Sequence, residues 1–228
     1  EEGILQLPKA LNNDSAPLFS QSIMTTDLIE KTVCVELTID KKQVIIAGTA
    51  KGSGMIEPNM ATMLGFITTD AKIEQSYLQH LLRKATDTTF NMITVDGDTS
   101  TNDMVVLMAN GMAENNELNE QHPEADEFYQ ALLFVMQELA KKIARDGEGA
   151  TKLIEVEVTG GPTVEAARQV AKSVIGSSLV KTAVFGADAN WGRILCAVGY
   201  SSAPILADKL DVFLGSIQVV EGSFPISF

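Results

Sequence analysis

The sequence predicts a layered α/β or α+β sandwich, and two observations carry that reading. Short β-rich runs come in pairs, and long amphipathic helical stretches interleave with them. No internal repeat, low-complexity segment or linker interrupts the 228 residues, a length that allows one large domain or two small ones with a substantial buried core. In chain order, residues 16 to 24 read as a short helix followed by the polar turn Thr25-Thr26-Asp27. Thr32 to Ile39 and Gln43 to Thr49 read as strands joined by an Asp-Lys-Lys hairpin turn. Met63 to Thr68 is a third strand, after a glycine loop. Glu74 to Phe90 has helical spacing, with Tyr77, Leu78, Leu81 and Leu82 on one face.

Met92 to Val95 and Met104 to Met108 read as strands around a polar insert, and Glu114 to Glu124 as an exposed loop. A long helix follows from about Pro123 to Arg145, with Phe128, Leu132, Val135, Met136, Leu139 and Ile143 forming one buried stripe. Leu153 to Thr159 is expected as a strand ending at Gly160-Gly161-Pro162, and Thr163 as the cap of a helix to about Ile175. Ser178 to Phe185 reads as a strand, Trp191 to Tyr200 as a helix, and Asp211 to Val220 as a closing strand.

A hydrophobic content of 45% with 21% charged residues is ordinary for a globular enzyme. The net charge of -13 argues against nucleic acid and anionic membranes, both of which favour a basic face. An anionic substrate would need a local positive group, which draws attention to Lys51. No apolar run reaches bilayer length, and no signal peptide is legible at Glu1. Cys34 and Cys196 sit in apolar runs and match no paired motif, so buried, reduced thiols in a cytoplasmic protein are expected. The two histidines, His80 and His122, have no nucleophile beside them in sequence, which disfavours histidine catalysis and a histidine metal site.

The chemistry concentrates between Lys51 and Asp70: a glycine loop with one lysine, a Pro58-Asn59 turn, and the Ala61-Thr62 junction just before a strand. A threonine hydroxyl is a poor nucleophile without an adjacent base. Cutting the chain before Thr62 would supply that base as the freed α-amine. Spacing alone equally fits an ordinary threonine at strand entry. Read singly, Lys51 is a solvated loop lysine, Thr25 a turn cap and Glu148 an exposed loop residue after a helix.

Residues 51 to 70 resemble the cleavage-site signature of the ornithine acetyltransferases, also called glutamate N-acetyltransferases, of the cyclic arginine pathway. Further matches follow in the family's order: Met24-Thr-Thr-Asp27, Thr94-Val-Asp-Gly-Asp-Thr-Ser-Thr-Asn-Asp103, Ala144-Arg-Asp-Gly-Glu-Gly-Ala-Thr151 and Phe185-Gly-Ala-Asp-Ala-Asn-Trp-Gly-Arg193. The resemblance implies a four-layer arrangement of two stacked sheets flanked by helices. It implies self-cleavage between Ala61 and Thr62, so that residues 1–61 end an α chain and 62–228 form most of a β chain of one catalytic domain. Thr62 is then the catalytic residue, passing acetyl from N2-acetylornithine to glutamate through an acetyl-threonine intermediate. Thr25, Lys51, Thr62 and Glu148 fall at substrate-binding positions. No metal or bound cofactor is implied, and acetyl-CoA is a candidate co-substrate that would make the enzyme bifunctional. The implied assembly is a heterotetramer of α and β chains.

The family's oxyanion-hole threonine–glycine pair and its C-terminal substrate ligands find no match, so the chain is expected to be cut short at both ends. Asp96, Asp98, Asn102, Asp188, Asn190 and Arg193 are expected to support the site through hydrogen bonds or, for the last three, buried ion pairing. Three alternatives stand beside this reading. One is a related amide hydrolase with an N-terminal nucleophile, and another a magnesium-dependent phosphatase using Asp96 and Asp98. The third is a non-catalytic fragment completed by other segments.

Overall fold

A computed structural model describes residues 2–10, 12–57 and 63–227. Pro58 to Thr62, and with them the expected cleavage site at Ala61 and Thr62, lie outside the described residues. The chain forms two compact units, Glu1–Gly149 and Ala150–Phe228. The mixed α/β class expected from the sequence holds, with two sheets and seven α-helices among the described residues.

The first unit opens with helices α1 (Glu2–Ala10) and α2 (Ala16–Ser22). Its sheet holds β1 (Lys31–Ile39), β2 (Lys42–Lys51), β3 (Leu64–Thr69) and β4 (Met104–Ala109), in that spatial order. β1 to β3 are antiparallel neighbours, whereas β4 runs parallel to β3. The register therefore gathers the start of β1, the end of β2 and the starts of β3 and β4 at one end of the sheet. There Lys31 faces Ala50, Lys51 faces Leu64, and Leu64 faces Met104. A parallel pair needs a long crossover, and α3 (Gln75–Thr88) lies within it.

The β1–β2 turn is Asp40-Lys41, with φ of 50° and 63°, the doubly left-handed geometry of a tight hairpin. No glycine relieves it. Instead, Asp40 N–H donates to Glu124 Oε2, and Asp40 Oδ2 accepts from Asn116 N–H and pairs with His122 Nε2. His122 Nδ1 accepts from Glu124 N–H, which leaves Nε2 as the protonated nitrogen facing Asp40. Asp40, His122 and Glu124 thus hold a turn in place.

Helix α4 (Ala125–Arg145) packs the predicted stripe of Phe128, Leu132, Val135, Met136, Leu139 and Ile143 on one face of the sheet. Acidic Asp126 and Glu127 open the helix and basic Lys142 and Arg145 close it, as its dipole favours. Gly48 permits the close approach: a Cβ there would lie 2.7 Å from Leu139 Cδ1. Inward residues of β1 alternate with exposed ones. Cys34 falls on the outward side and is exposed, as is Cys196, which corrects the expectation that both thiols are buried.

The second unit contains α5 (Val164–Gly176), α6 (Ser178–Phe185), α7 (Trp191–Gly199) and a small sheet of β5 (Val212–Leu214), β6 (Ile217–Glu221) and β7 (Phe224–Pro225). Val174, Val180, Ala197 and Val198 form its core. Thr163 caps α5 as expected, its side chain accepting from Ala166 N–H.

Four element assignments change. Ser178–Phe185 is a helix, because Ser177 caps it and Val180 and Ala183 share a buried face, which outweighs its β-branched content. Residues 153–159 are not strand, and none of the described residues forms a ladder with them. Residues 92–95 are likewise not strand, and a 3₁₀ turn at Phe90–Met92 leads into them. The closing strand is a hairpin, β5–β6, broken at Gly215 with φ of 61°. The connection after β4 is also less exposed than expected, since Asn115 and Leu118 are buried.

Candidate functional site

Four segments meet at the sheet end defined above. They are the turn after α2 (residues 25–30), the loop after β2 (residues 52–57), the C-terminal exit of α4 (residues 146–148) and the starts of β3 and β4. What holds them together is a buried charge cluster. Lys31, 1% exposed, places Nζ 2.7 Å from Asp27 Oδ1 and 2.6 Å from Asp146 Oδ2. A buried ammonium without partners would be prohibitive, and two carboxylates answer it here.

Those carboxylates also reach the backbone of the surrounding loops. Asp27 accepts from Gly52 N–H at 2.6 Å and from Thr25 N–H at 3.1 Å, and Asp146 accepts from Leu28 N–H at 3.0 Å. Burial pushes the Asp27 carboxyl up, but the Gly52, Lys31 and Thr25 donors together outweigh it and hold the group below its usual range. Gly52 itself has φ of 148°, a conformation suited to glycine.

The cluster brings the predicted binding residues Thr25, Lys51 and Glu148 to one place. Lys51 Nζ lies 3.4 Å from Thr25 Oγ1. Thr26 Oγ1 and Ser53 Oγ are 2.6 Å apart, and Glu148 N–H donates to Ser53 O at 2.8 Å. The Glu148 carboxylate lies over Gly54, where a Cβ would come within 2.6 Å of its Cδ and Oε1. Thr25 and Glu148 are exposed and Lys51 is half-buried. One site thus offers a cation, a hydroxyl and an anion.

The Asp96 loop is hydrogen-bonded to the loop after β2. Its carboxylate accepts from Met55 N–H at 2.6 Å, Ile56 N–H at 3.0 Å and Asp98 N–H at 3.0 Å, and Thr99 Oγ1 donates to Glu57 O at 3.0 Å. Both Asp96 oxygens are thereby engaged with backbone N–H groups. Asn102 accepts from Ser100 Oγ, a contact local to its loop. Asp103 at the end of that loop accepts from Met63 N–H, and Met104 N–H donates to Met63 O at 3.1 Å.

Asp188, Asn190 and Arg193 belong to the second unit, and the expected buried ion pair is not formed. Asp188 is exposed and accepts from Asn190 Nδ2 at 2.9 Å, while Arg193 Nη1 donates to Leu179 O and Thr182 Oγ1. Asn190 caps α7 by accepting from Arg193 N–H, so the three residues organise the α6–α7 corner.

Sequence reading missed Lys31, Asp103 and the partnership of Asp27 with Asp146. Both aspartates lie within the quoted motifs, but a lysine opening a strand ordinarily signals surface.

This end of the sheet, in an α/β protein, presents a lysine, a threonine hydroxyl and a glutamate. The ArgJ family model matches residues 1–228, and the chain belongs to that family. It is 56% identical over 226 residues to the arginine biosynthesis bifunctional protein ArgJ of Geobacillus kaustophilus, covering 99% of this chain and 55% of that one. The protein of the same name from Oceanobacillus iheyensis is 61% identical over 213 residues, covering 93% and 52%. The chain therefore spans about half the length of these curated relatives. The crystal structure of the Bacillus halodurans protein of that name superposes with a TM-score of 0.72 at 57% identity, over 73% of this chain and 78% of that one.

Proposed function

We propose that the protein bearing this chain is a glutamate N-acetyltransferase of arginine biosynthesis that moves acetyl from N2-acetylornithine to glutamate. The observation that carries the reading is the meeting of Lys51, Thr25 and Glu148 on the loop that leads to Ala61-Thr62. Lys51 holds the substrate carboxylate, and Glu148 holds the ornithine amine or positions the incoming one. Self-cleavage between Ala61 and Thr62 frees the Thr62 α-amine, which takes the hydroxyl proton as Oγ attacks the acetyl carbonyl. The donor's C–N bond breaks, the proton passes to the leaving amine, and acetyl-Thr62 is then opened by glutamate.

The word bifunctional in the relatives' names supports acetyl-CoA as a second acetyl donor. Assembly as a heterotetramer of α and β chains, in the cytoplasm, belongs to the same proposal. Intact mass and N-terminal sequencing of the full-length protein test it. Two fragments with Thr62 leading the second are expected, together with an uncut, inactive Thr62→Ala variant. A single uncut chain with full transferase activity would overturn the mechanism.

A further inference from the structure

The two carboxylates that share the Lys31 ammonium are not equivalent. Asp146 makes its side-chain contacts through one oxygen, Oδ2, which accepts from Lys31 Nζ at 2.6 Å and from Leu28 N–H at 3.0 Å. Asp27 divides its oxygens. Oδ1 accepts from Lys31 Nζ at 2.7 Å and from Gly52 N–H at 2.6 Å, and Oδ2 accepts from Thr25 N–H at 3.1 Å. The Gly52 N–H belongs to the peptide group that joins Lys51 to Gly52. One carboxylate therefore grips the backbone of both residues whose side chains meet at 3.4 Å, Lys51 and Thr25. The Asp27 side chain is itself 0% exposed, so it acts through the residues it holds.

An ammonium only donates, so Thr25 Oγ1 is the acceptor in that contact and its own O–H is left to donate elsewhere. Lys51 keeps further N–H groups as well. Two donors thus stand side by side, an arrangement that suits the two oxygens of one carboxylate. We propose that Asp27 is a positioning residue for this pair. By binding the Thr25 and Gly52 amides with separate oxygens, it fixes the hydroxyl and the ammonium as a two-point clamp on the substrate carboxylate. The inference rests on the proposed function above. It goes beyond that reading by giving a buried residue, outside the binding positions, control over how the substrate is held.

Asp27→Asn in the full-length protein is the test. With its carbonyl in the place of Oδ1, asparagine keeps Gly52 N–H and Lys31, while its NH₂ faces Thr25 N–H, donor against donor. The opposite rotamer would set NH₂ against two donors and is the poorer one. KM for N2-acetylornithine and for glutamate should rise at least about fivefold, with kcat within about twofold of wild type. In a Thr25→Ala background the same substitution should raise KM by less than about twofold, because the hydroxyl it positions is already gone. Asp146→Asn is the control for the loss of a buried charge. Its carbonyl keeps both Oδ2 contacts, so KM should stay within about twofold of wild type. A smaller KM rise in Asp27→Asn, a loss carried by kcat, a larger rise in the Thr25→Ala background, or a larger rise in Asp146→Asn would each overturn the assignment. So would an Asp27→Asn chain that does not fold, because Asp27 would then serve the fold and not the clamp. Wild-type full-length protein without transferase activity on these substrates would instead overturn the proposed function.

Discussion

The ammonium of Lys31 and the carboxylate of Asp146 meet at 2.6 Å across a sequence separation of 115 residues. This contact, completed by Asp27 on the other side, ties the first strand to the exit of the longest helix. Lys31→Met should cost about 3–5 kcal/mol, because two buried carboxylates lose their shared cation. Denaturant unfolding at neutral pH measures it, and a loss under about 1 kcal/mol would show that the cluster does not hold the site. The Asp27 carboxyl sits below its ordinary range when folded. Its contribution to stability is thus present above the unfolded value and fades as pH falls through the folded one.

Lys51→Met should raise KM for N-acetylornithine and glutamate by roughly 10- to 100-fold, the range expected when one charge-assisted hydrogen bond is lost. The melting temperature should stay near wild type, since Lys51 is only half-buried. An unchanged KM for both substrates would remove Lys51 from the site.

Gly54→Ala offers a way to move Glu148 without mutating it. The new methyl would occupy the place of the Glu148 carboxylate, which a flexible side chain can vacate at little cost to the fold. Stability should therefore change by less than about 1 kcal/mol. Turnover with ornithine-derived substrates should fall in the same direction as in Glu148→Gln. If Glu148→Gln lowers turnover and Gly54→Ala does not, the seat of Glu148 on Gly54 is irrelevant to function.

Asp103 should leave a signature in the pH dependence of stability. Its folded pKa of about 6 lies above the model-compound value of 3.8. A carboxyl raised in this way favours the folded state below the lower value, and that contribution is lost as pH rises through the upper one. The stability of Asp103→Asn relative to wild type should accordingly increase between those two pH values and then level off. A difference independent of pH, measured by thermal unfolding across the window, would count against a buried ionising group.

Local pattern was enough for much of the framework. The stripe from Phe128 to Ile143 specified α4, short β-rich runs marked β1 to β4, and Thr163 announced its own cap, because each depends on residues a few positions apart. Ser178–Phe185 was misread because β-branched residues tilt a short apolar run toward strand, whereas Ser177 and packing against α7 decide for helix. Residues 153–159 alternate as a strand does, but strand formation needs a partner, which local pattern cannot supply.

The sequence by itself determined the family, the class of fold and the residues that bear charge around the glycine loop. Only the tertiary structure decided that Thr25, Lys51 and Glu148 share one end of one sheet, and that a lysine of surface-like sequence is buried to hold them there. The same holds for the contact of Asp103 with Met63 N–H, which the parallel pairing of β3 with β4 brings about. The physical reason is that short-range periodicity encodes which face of an element is apolar. The partners of a buried charge are instead set by strand register and helix packing between segments up to 115 residues apart.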